Sequence, residues 1–219
     1  MARSGGGQGL VSRAGRADTA TGRQALSKPI IVAAAIEIIA ERGVEGLSMR
    51  HLSERLGVAL GATYKHVPDK HTLLRLVAEV LYARIEPADD VVDEFEQAKS
   101  VMLQVHEVLA AHPGMAEYIA QHVPEFSSVN VAKLITGPLC AGGLSPAEAN
   151  RITLALVLLN GGHMLMRMPV ELQQEAADAF EDGVDLIVRG ARARVGQRSA
   201  WTGRFSPPEP RGSASAADP

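Results

Sequence analysis

The chain has 219 residues, of which 46% are hydrophobic and 21% charged, and its formal net charge is −3. This length and apolar content suffice for one or two hydrophobic cores without stapling disulfides. The single cysteine, Cys140, excludes an internal disulfide framework, and the longest apolar run, Ile152 to Leu159, is too short to span a membrane. We therefore expect a cytoplasmic protein with no membrane partner.

The charge is divided unevenly along the chain. Residues 1–84 contain 12 Lys and Arg against 7 Asp and Glu, whereas residues 85–219 contain 10 against 18. A basic first part suits a polyanion such as DNA, because cationic side chains supply most of the affinity that does not depend on base sequence. Ordinary scatter of surface charge would give the same split, so composition alone leaves both interpretations open.

The first 26 residues lack apolar periodicity and contain Gly5–Gly7 with scattered Ser, Thr and Arg, which predicts a disordered basic arm. Ser27 and Pro29 then indicate a helix start, with a capping residue followed by a proline in the first turn. Isoleucines and alanines repeat at helical spacing from Ile30 until Gly43 ends the pattern. We predict a buried helix here with no chemistry of its own.

A helix-turn-helix is predicted in residues 47–74. Leucines four residues apart define the buried face of a short helix capped by Ser48. Gly57 can take the positive φ that a sharp turn requires. Residues 59–66 form a second helix that is too short to be stable alone. Two short helices joined in this way are typical of DNA-binding domains whose second helix enters the major groove.

Helices are the only regular elements predicted in the rest of the chain. Asp69 caps a helix that reaches about residue 84, with a buried stripe of Leu73, Leu74, Val77, Val80 and Leu81. Prolines and glycines then separate helices at residues 91–111, 114–121 and 125–141. A capping box at residues 145–148 opens a helix to about residue 168, and a last helix covers residues 171–195. Residues 197–219 are predicted to be a disordered tail.

The apolar helix ending at Gly43, the run Leu47–Leu56 and the segment Gly57–Leu74, with its Tyr64-Lys65-His66-Val67 tetrapeptide, carry a family resemblance. In this order they resemble the N-terminal domain of the tetracycline-repressor (TetR) family of bacterial regulators. The match covers about sixty residues and is far more specific than any single dipeptide. It implies an all-helical fold, a homodimer, and a small molecule in the C-terminal domain that releases the protein from its operator.

The resemblance also implies which residues face DNA. Arg50 and Lys65 are long donors suited to guanine O6 and N7, whereas Tyr64, His66 and Lys70 match positions that grip phosphates. The complete DNA-binding set is Ser48, Arg50, Leu60, Gly61, Ala62, Tyr64, Lys65, His66 and Lys70. For His66, packing on the core of the motif is an equally open alternative.

The second helix of the motif departs from the family pattern at two positions. Ala59 stands where a hydroxyl or amide cap is frequent, and Thr63 stands where an aliphatic residue usually precedes the tyrosine. Residues 60–62 offer few hydrogen-bonding groups. Contacts with thymine methyl groups and DNA shape must therefore supply part of the specificity.

A ligand pocket is predicted among the middle helices, where a few polar groups stand among apolar ones. Its candidate residues are Met102, His106, Tyr118, Phe126, Asn130, Leu134 and His163, and for each of them a plain core role is the alternative. The resemblance does not extend to the magnesium-tetracycline site known in the tetracycline-repressor family. Tyr118 and Ile119 occupy the neighbourhood in which that family's metal-binding histidine lies. We predict no metal, no cofactor and no catalytic residue.

The last two predicted helices carry small residues that permit close approach of another helix: Ala155, Gly161, Gly162, Ala176 and Ala179. Two such helices from each of two subunits would form a four-helix bundle. Closure of the monomer's own core is the alternative, and the resemblance favours the dimer.

The predicted fold is all-α, with an N-terminal three-helix helix-turn-helix DNA-binding domain at residues 27–84 and a C-terminal helical ligand-binding and dimerisation domain at residues 85–196. Ligand identity, operator sequence, regulated genes, the sign of regulation and any contact of the arm with DNA stay open. We predict a homodimeric regulator, not an enzyme, that represses from a near-palindromic operator in double-stranded DNA and is released by a small apolar or aromatic effector. A ligand-independent architectural DNA-binding protein and a helical enzyme carrying the same motif are the alternative hypotheses.

Overall fold

The computed structural model describes residues 25–87, 93–122, 131–166 and 168–202, with the side chains of 198–202 outside the description. Every regular element in these ranges is helical, so the predicted all-α class is confirmed. The helices are α1 (Lys28–Gly46), α2 (Met49–Leu56), α3 (Leu60–His66), α4 (Lys70–Tyr82), α5 (Glu94–Ala110), α6 (Met115–Gln121), α7 (Val131–Ala141), α8 (Pro146–Leu165) and α9 (Gln173–Thr202). A short 3-10 turn, Val170–Leu172, precedes α9. We call α1–α4 the head and α5–α9 the body.

The head is built around α1, which packs against α2 and α4. Its apolar face is buried, and the helical path breaks at Gly43, whose φ is +70°. Ser27 has the extended backbone of a capping residue, but its side chain makes no capping hydrogen bond. On the surface, Arg55 of α2 donates to both carboxylate oxygens of Glu41 at 2.6 and 2.7 Å, which joins α2 to α1.

The stripe predicted for α4 is correct except at Val80, which is 40% exposed. Ala78 is buried instead, together with Val77 and Leu81. The periodicity placed the stripe correctly, but Val80 lies at a groove between α4 and α1, where the described part of the chain covers it only in part. Asp69 caps α4 as predicted, since its carboxylate accepts from the Thr72 N–H, and this bond lowers the pKa of Asp69.

The body is arranged around α5, which packs against α7, α8 and α9. Met102 of α5 is fully buried, as are Ile135 of α7 and Leu156 of α8. Lys99 of α5 also forms an ion pair with Asp185 of α9, with Nζ and Oδ1 2.8 Å apart. The buried side chains of these helices form one apolar core, and the ion pair joins α5 to α9.

Several helices begin or end at residues other than those predicted. Helix α5 begins at Glu94, not at residue 91, because the Asp93 carboxylate caps it by accepting from two N–H groups. Helix α8 ends at Leu165, not at residue 168, since Pro169 disfavours helical backbone in the residue before it. Helix α9 runs to Thr202, so the start of the tail predicted at 197–219 is helical. No proline interrupts that stretch. Nearly all of the predicted arm, the start of the helix predicted at 125–141, and residues 203–219 lie outside the description.

Candidate DNA interface and ligand site

Helices α2 and α3 form the predicted helix-turn-helix. The Ser48 hydroxyl accepts from the His51 N–H at 3.1 Å and caps α2. Gly57 ends α2 with φ of +65°, a conformation that glycine adopts without the strain of a Cβ. Ala59 precedes α3 without any side-chain cap. Helix α3 therefore relies on packing for its position.

A buried pair of hydroxyls supplies part of that packing. The Ser53 hydroxyl of α2 donates to the Met49 carbonyl at 2.8 Å. Its oxygen lies 2.8 Å from the Thr63 hydroxyl oxygen of α3. Because a serine hydroxyl has one proton and Ser53 has given it to Met49, Thr63 must be the donor between the two helices. Thr63, which departs from the family pattern, thus has a specific partner that the sequence analysis missed.

The outer side of α3 is open to solvent. Leu60 is 42% exposed and Tyr64 is 45% exposed, and Lys65 projects beside them. A Cβ added at Gly61 would meet no atom within 4 Å, so a DNA backbone or base has room to approach. In the predicted DNA-binding set the exposed members are Ser48, Arg50, Leu60, Gly61, Tyr64 and Lys65, and the half-buried ones are Ala62, His66 and Lys70.

The two long donors differ in their surroundings. The Arg50 Nε donates to Glu54 at 2.9 Å, but the Arg50 side chain is 84% exposed, so this surface ion pair contributes little to stability. Lys65 takes part in no hydrogen bond or ion pair within the described part of the chain. Lys65 is therefore a cationic donor on α3 that a DNA contact can use without first breaking another bond.

Lys70 lies at the start of α4 and already has an intramolecular partner. Its Nζ donates to the Val44 carbonyl at 2.8 Å. Partial burial lowers the pKa of Lys70, since desolvation disfavours the charged form. An ammonium has three donors, so two remain for a phosphate while this bond is kept.

Two of the predicted pocket residues meet in the body. The His106 ring stacks on the Phe180 ring with their centroids 4.0 Å apart. The His163 ring lies edge-on to the His106 ring, with those centroids 4.9 Å apart. The His106 Nδ1 donates to the side-chain oxygen of Asn160 at 2.8 Å, because that oxygen only accepts. A cavity of about 330 Å³ adjoins this cluster and is lined by His163, Met166, Met168, Gln173 and Ala176. The sequence analysis missed Phe180 and Asn160 as partners, since each sits at an ordinary core spacing.

The other candidate pocket residues are dispersed. Met102 is buried in the core, and Leu134 packs against that core. The Tyr118 hydroxyl donates to the His71 carbonyl of α4 at 3.0 Å, which places Tyr118 where body and head meet. Phe126 and Asn130 lie outside the described residues.

The surroundings of His163 favour its neutral form. Burial and the neighbouring His106 lower the pKa of His163, while a hydrogen bond with the Ala176 backbone opposes the shift. Among the described residues, no three histidine, cysteine or carboxylate side chains are close enough to hold a metal ion. Nor does any helix there have the length and apolar character needed to cross a membrane.

An exposed apolar face runs along α8 and α9. Leu154, Val157 and Leu158 of α8 are 56%, 46% and 66% exposed, and Leu186 of α9 is 69% exposed. Large exposed apolar side chains on two helices that pack against each other are typical of an interface. On the same two helices, Gly161, Gly162 and Gly190 have open space where a Cβ would project.

Comparisons with known proteins agree with this architecture. The family described as "Bacterial regulatory proteins, tetR family" matches residues 31–77, from α1 into α4. The tetracycline repressor protein class C of Escherichia coli is 29% identical over 171 residues, which cover 76% of this chain and 75% of the repressor. The match therefore extends well into the body.

Two solved structures share the fold along most of this chain. BioQ with its natural double-stranded DNA operator is 27% identical, with a TM-score of 0.61 over 77% of this chain and 99% of BioQ. The Q116A variant of TetR from Acinetobacter baumannii AYE, in complex with minocycline, is 26% identical, with a TM-score of 0.57 over 83% of this chain and 99% of that one. With its helix-turn-helix, its all-helical body and these relatives, the chain is similar to the TetR family of bacterial regulatory proteins, whose DNA-binding domain model matches residues 31–77.

Proposed function

We propose that this protein is a transcriptional repressor that binds a near-palindromic operator as a homodimer and is released by a small apolar or aromatic effector. The observation that carries the proposal is the outer side of α3, where Tyr64 and Lys65 project from a helix fixed by the buried Ser53–Thr63 pair. A short exposed helix anchored in this way has the form of a recognition helix.

Residues 27–84 would form the DNA-binding domain. Arg50 and Lys65 reach base edges, while Tyr64, His66 and Lys70 hold phosphates. The remaining members of the set, Ser48, Leu60, Gly61 and Ala62, contribute close approach and contacts with thymine methyl groups. The operator complex of BioQ supports a DNA-bound state for a head of this architecture.

The homodimer would form through the exposed face of α8 and α9. Leu158 and Leu186 are apolar and more than half exposed, so the isolated chain leaves them in water. Pairing with the same face of a second copy buries them and yields a four-helix bundle. A two-fold dimer presents two α3 helices, which is why its operator should be a near-palindrome.

The effector would bind within residues 85–196, next to the His106–His163–Phe180 cluster. From this cluster His163 lines the pocket of about 330 Å³ together with Met166 and Met168, and an imidazole ring and two thioethers suit contact with an apolar or aromatic molecule. The minocycline complex of the A. baumannii TetR variant supports a ligand-binding body in a relative. Effector and operator then oppose each other, and each must weaken the binding of the other by the same factor.

Selection of genomic DNA fragments on the purified protein tests the DNA-binding part. A recovered near-palindrome bound by the wild type and by a Lys133→Ala control, but weakly by Lys65→Ala, is the expected result. Lys133 is an exposed lysine of α7 in the body, so it matches the charge change alone. Indiscriminate recovery of fragments would favour the ligand-independent architectural protein, and turnover of a bound small molecule would favour an enzyme.

A further inference from the structure

The end of α1 and the turn between α5 and α6 approach each other through two glycines. Gly43 has φ of +70°, and a Cβ there would lie 3.2 Å from the Pro113 carbonyl oxygen. Gly114 has φ of +86°, and a Cβ there would lie 3.0 Å from the Val44 Cβ. At these distances either added methyl group would be tightly crowded, so the facing segment would have to shift by a few tenths of an ångström, and the positive φ would add strain. The close approach of the backbones therefore requires glycine on both sides.

Through its backbone groups, Val44 forms hydrogen bonds that join the end of α1 to the turn before α6 and to the start of α4. Its N–H donates to the Pro113 carbonyl at 2.9 Å, and its own carbonyl accepts from Lys70 Nζ at 2.8 Å. One residue is thus bonded to the body on one side and to the start of α4 on the other. We call Gly43, Val44, Lys70, Pro113 and Gly114 the clasp.

Besides the clasp, packed rings join head and body, since the His71 ring of α4 lies 5.8 Å from the Tyr118 ring and 4.9 Å from the His122 ring, centroid to centroid. In the described ranges, the bond from Val44 to Pro113 is the one backbone-to-backbone hydrogen bond that joins head and body. An open pocket of about 370 Å³ lies beside the clasp, and its lining includes clasp residues and Met164 of α8. Side-chain bonds from Tyr118 to His71 and from Gln104 to Glu86 join the two parts elsewhere.

We propose that the clasp positions the head on the body and thereby sets the spacing of operator half-sites that the dimer accepts. The proposal rests on the proposed function, because spacing has meaning only for a dimer that reads two half-sites. Moving one half-site by a base pair shifts it by roughly 3.4 Å along the duplex and also rotates it around the axis. A head held rigidly cannot follow that movement, whereas a loosened head can, with weaker binding at the natural spacing.

The test uses the full-length dimer and three operators, one with the natural spacing and two with the half-sites one base pair closer or farther apart. Gly114→Ala and the milder Gly43→Ala loosen the clasp, and Gly137→Ala is the matched control. Gly137 has no positive φ, and a Cβ there would meet nothing within 4 Å. Urea unfolding of each variant confirms that it is folded. If Gly114→Ala does not fold, Gly43→Ala is used to test the proposal.

The wild type and the control should bind the altered spacings about tenfold more weakly than the natural one, which corresponds to 1.4 kcal/mol. In the clasp variants that ratio should fall below about threefold. The Val44→Gly substitution in the Gly114→Ala background removes the side-chain atoms that crowd the added methyl group. It should restore part of the preference for the natural spacing over the altered ones. Folded clasp variants that lose affinity equally on all three operators, or that keep the wild-type ratio, would overturn the proposal. A wild type without any preferred operator would overturn the proposed function as well.

Discussion

The hydroxyl pair between α2 and α3 makes a quantitative prediction about the helix-turn-helix. Ser53 is 3% exposed and Thr63 is fully buried. Ser53→Ala removes the acceptor that the Thr63 hydroxyl bonds among the described residues, and also the bond to Met49. A buried donor without a partner costs about 1–3 kcal/mol, so we expect the free energy of unfolding to fall by that amount.

Thr63→Val should be milder. Valine keeps the shape and the β-branch, and Ser53 keeps its bond to the Met49 carbonyl. Only a net hydrogen bond is lost, at about 0.5–1.5 kcal/mol. In the double variant no donor is left unpaired, so its loss should be smaller than the sum of the two single losses by about 1 kcal/mol.

Urea unfolding of the four proteins, followed by circular dichroism, measures this cycle. Operator affinity should fall along with stability, since the pair bonds α3 to α2. Losses that add to within about 0.3 kcal/mol would refute the direct bond between Ser53 and Thr63. A larger loss for Thr63→Val than for Ser53→Ala would refute the assignment of Thr63 as the donor.

Three further outcomes are expected. Lys65→Ala should weaken operator binding by about 1–3 kcal/mol in a fluorescence anisotropy titration, and an equal loss on unrelated DNA would reassign Lys65 from bases to phosphates. Leu186→Arg should convert the dimer into monomers in sedimentation velocity and abolish tight operator binding, whereas an intact dimer would show that α9 pairs by another face. The third outcome concerns His163, whose pKa is lowered in the folded protein. The unfolded chain takes up that proton first as pH falls below about 6.5, so stability should drop there. His163→Gln should lessen the fall of Tm between pH 7.5 and 5.5, and an unchanged fall would contradict the role of His163.

The local elements could be predicted because their causes are local. Gly57 provides the positive φ of the turn, and Ser48 and Asp69 provide the capping oxygens, all within a few residues of the helices they define. Val80 shows the limit of this reasoning. Helical spacing assigns it to a stripe, but burial depends on which neighbouring helix covers that side, and spacing does not encode this.

The candidate sites differ in how much of each could be predicted from the sequence, because some are built from neighbouring residues and others from distant ones. The exposed face of α3 follows from one short motif, so its residues could be named from the sequence. The ring cluster joins His106 to Asn160 and Phe180 on other helices, and the clasp joins Gly43 to Gly114. Such partners lie far apart in the chain, and each sits at a spacing that an ordinary core or turn residue would also occupy. Only the packing of the helices identifies them.

Thr63 connects these two kinds of information. From the sequence it is a departure from the aliphatic residue usual at this position, and the sequence offers no reason for it. In the structure its hydroxyl is matched by Ser53, so the core holds a satisfied polar pair. A hydroxyl at one position without the other would leave a buried polar group unpaired, which is costly. The two positions should therefore change together, and Ser53 is expendable only where an aliphatic residue replaces Thr63.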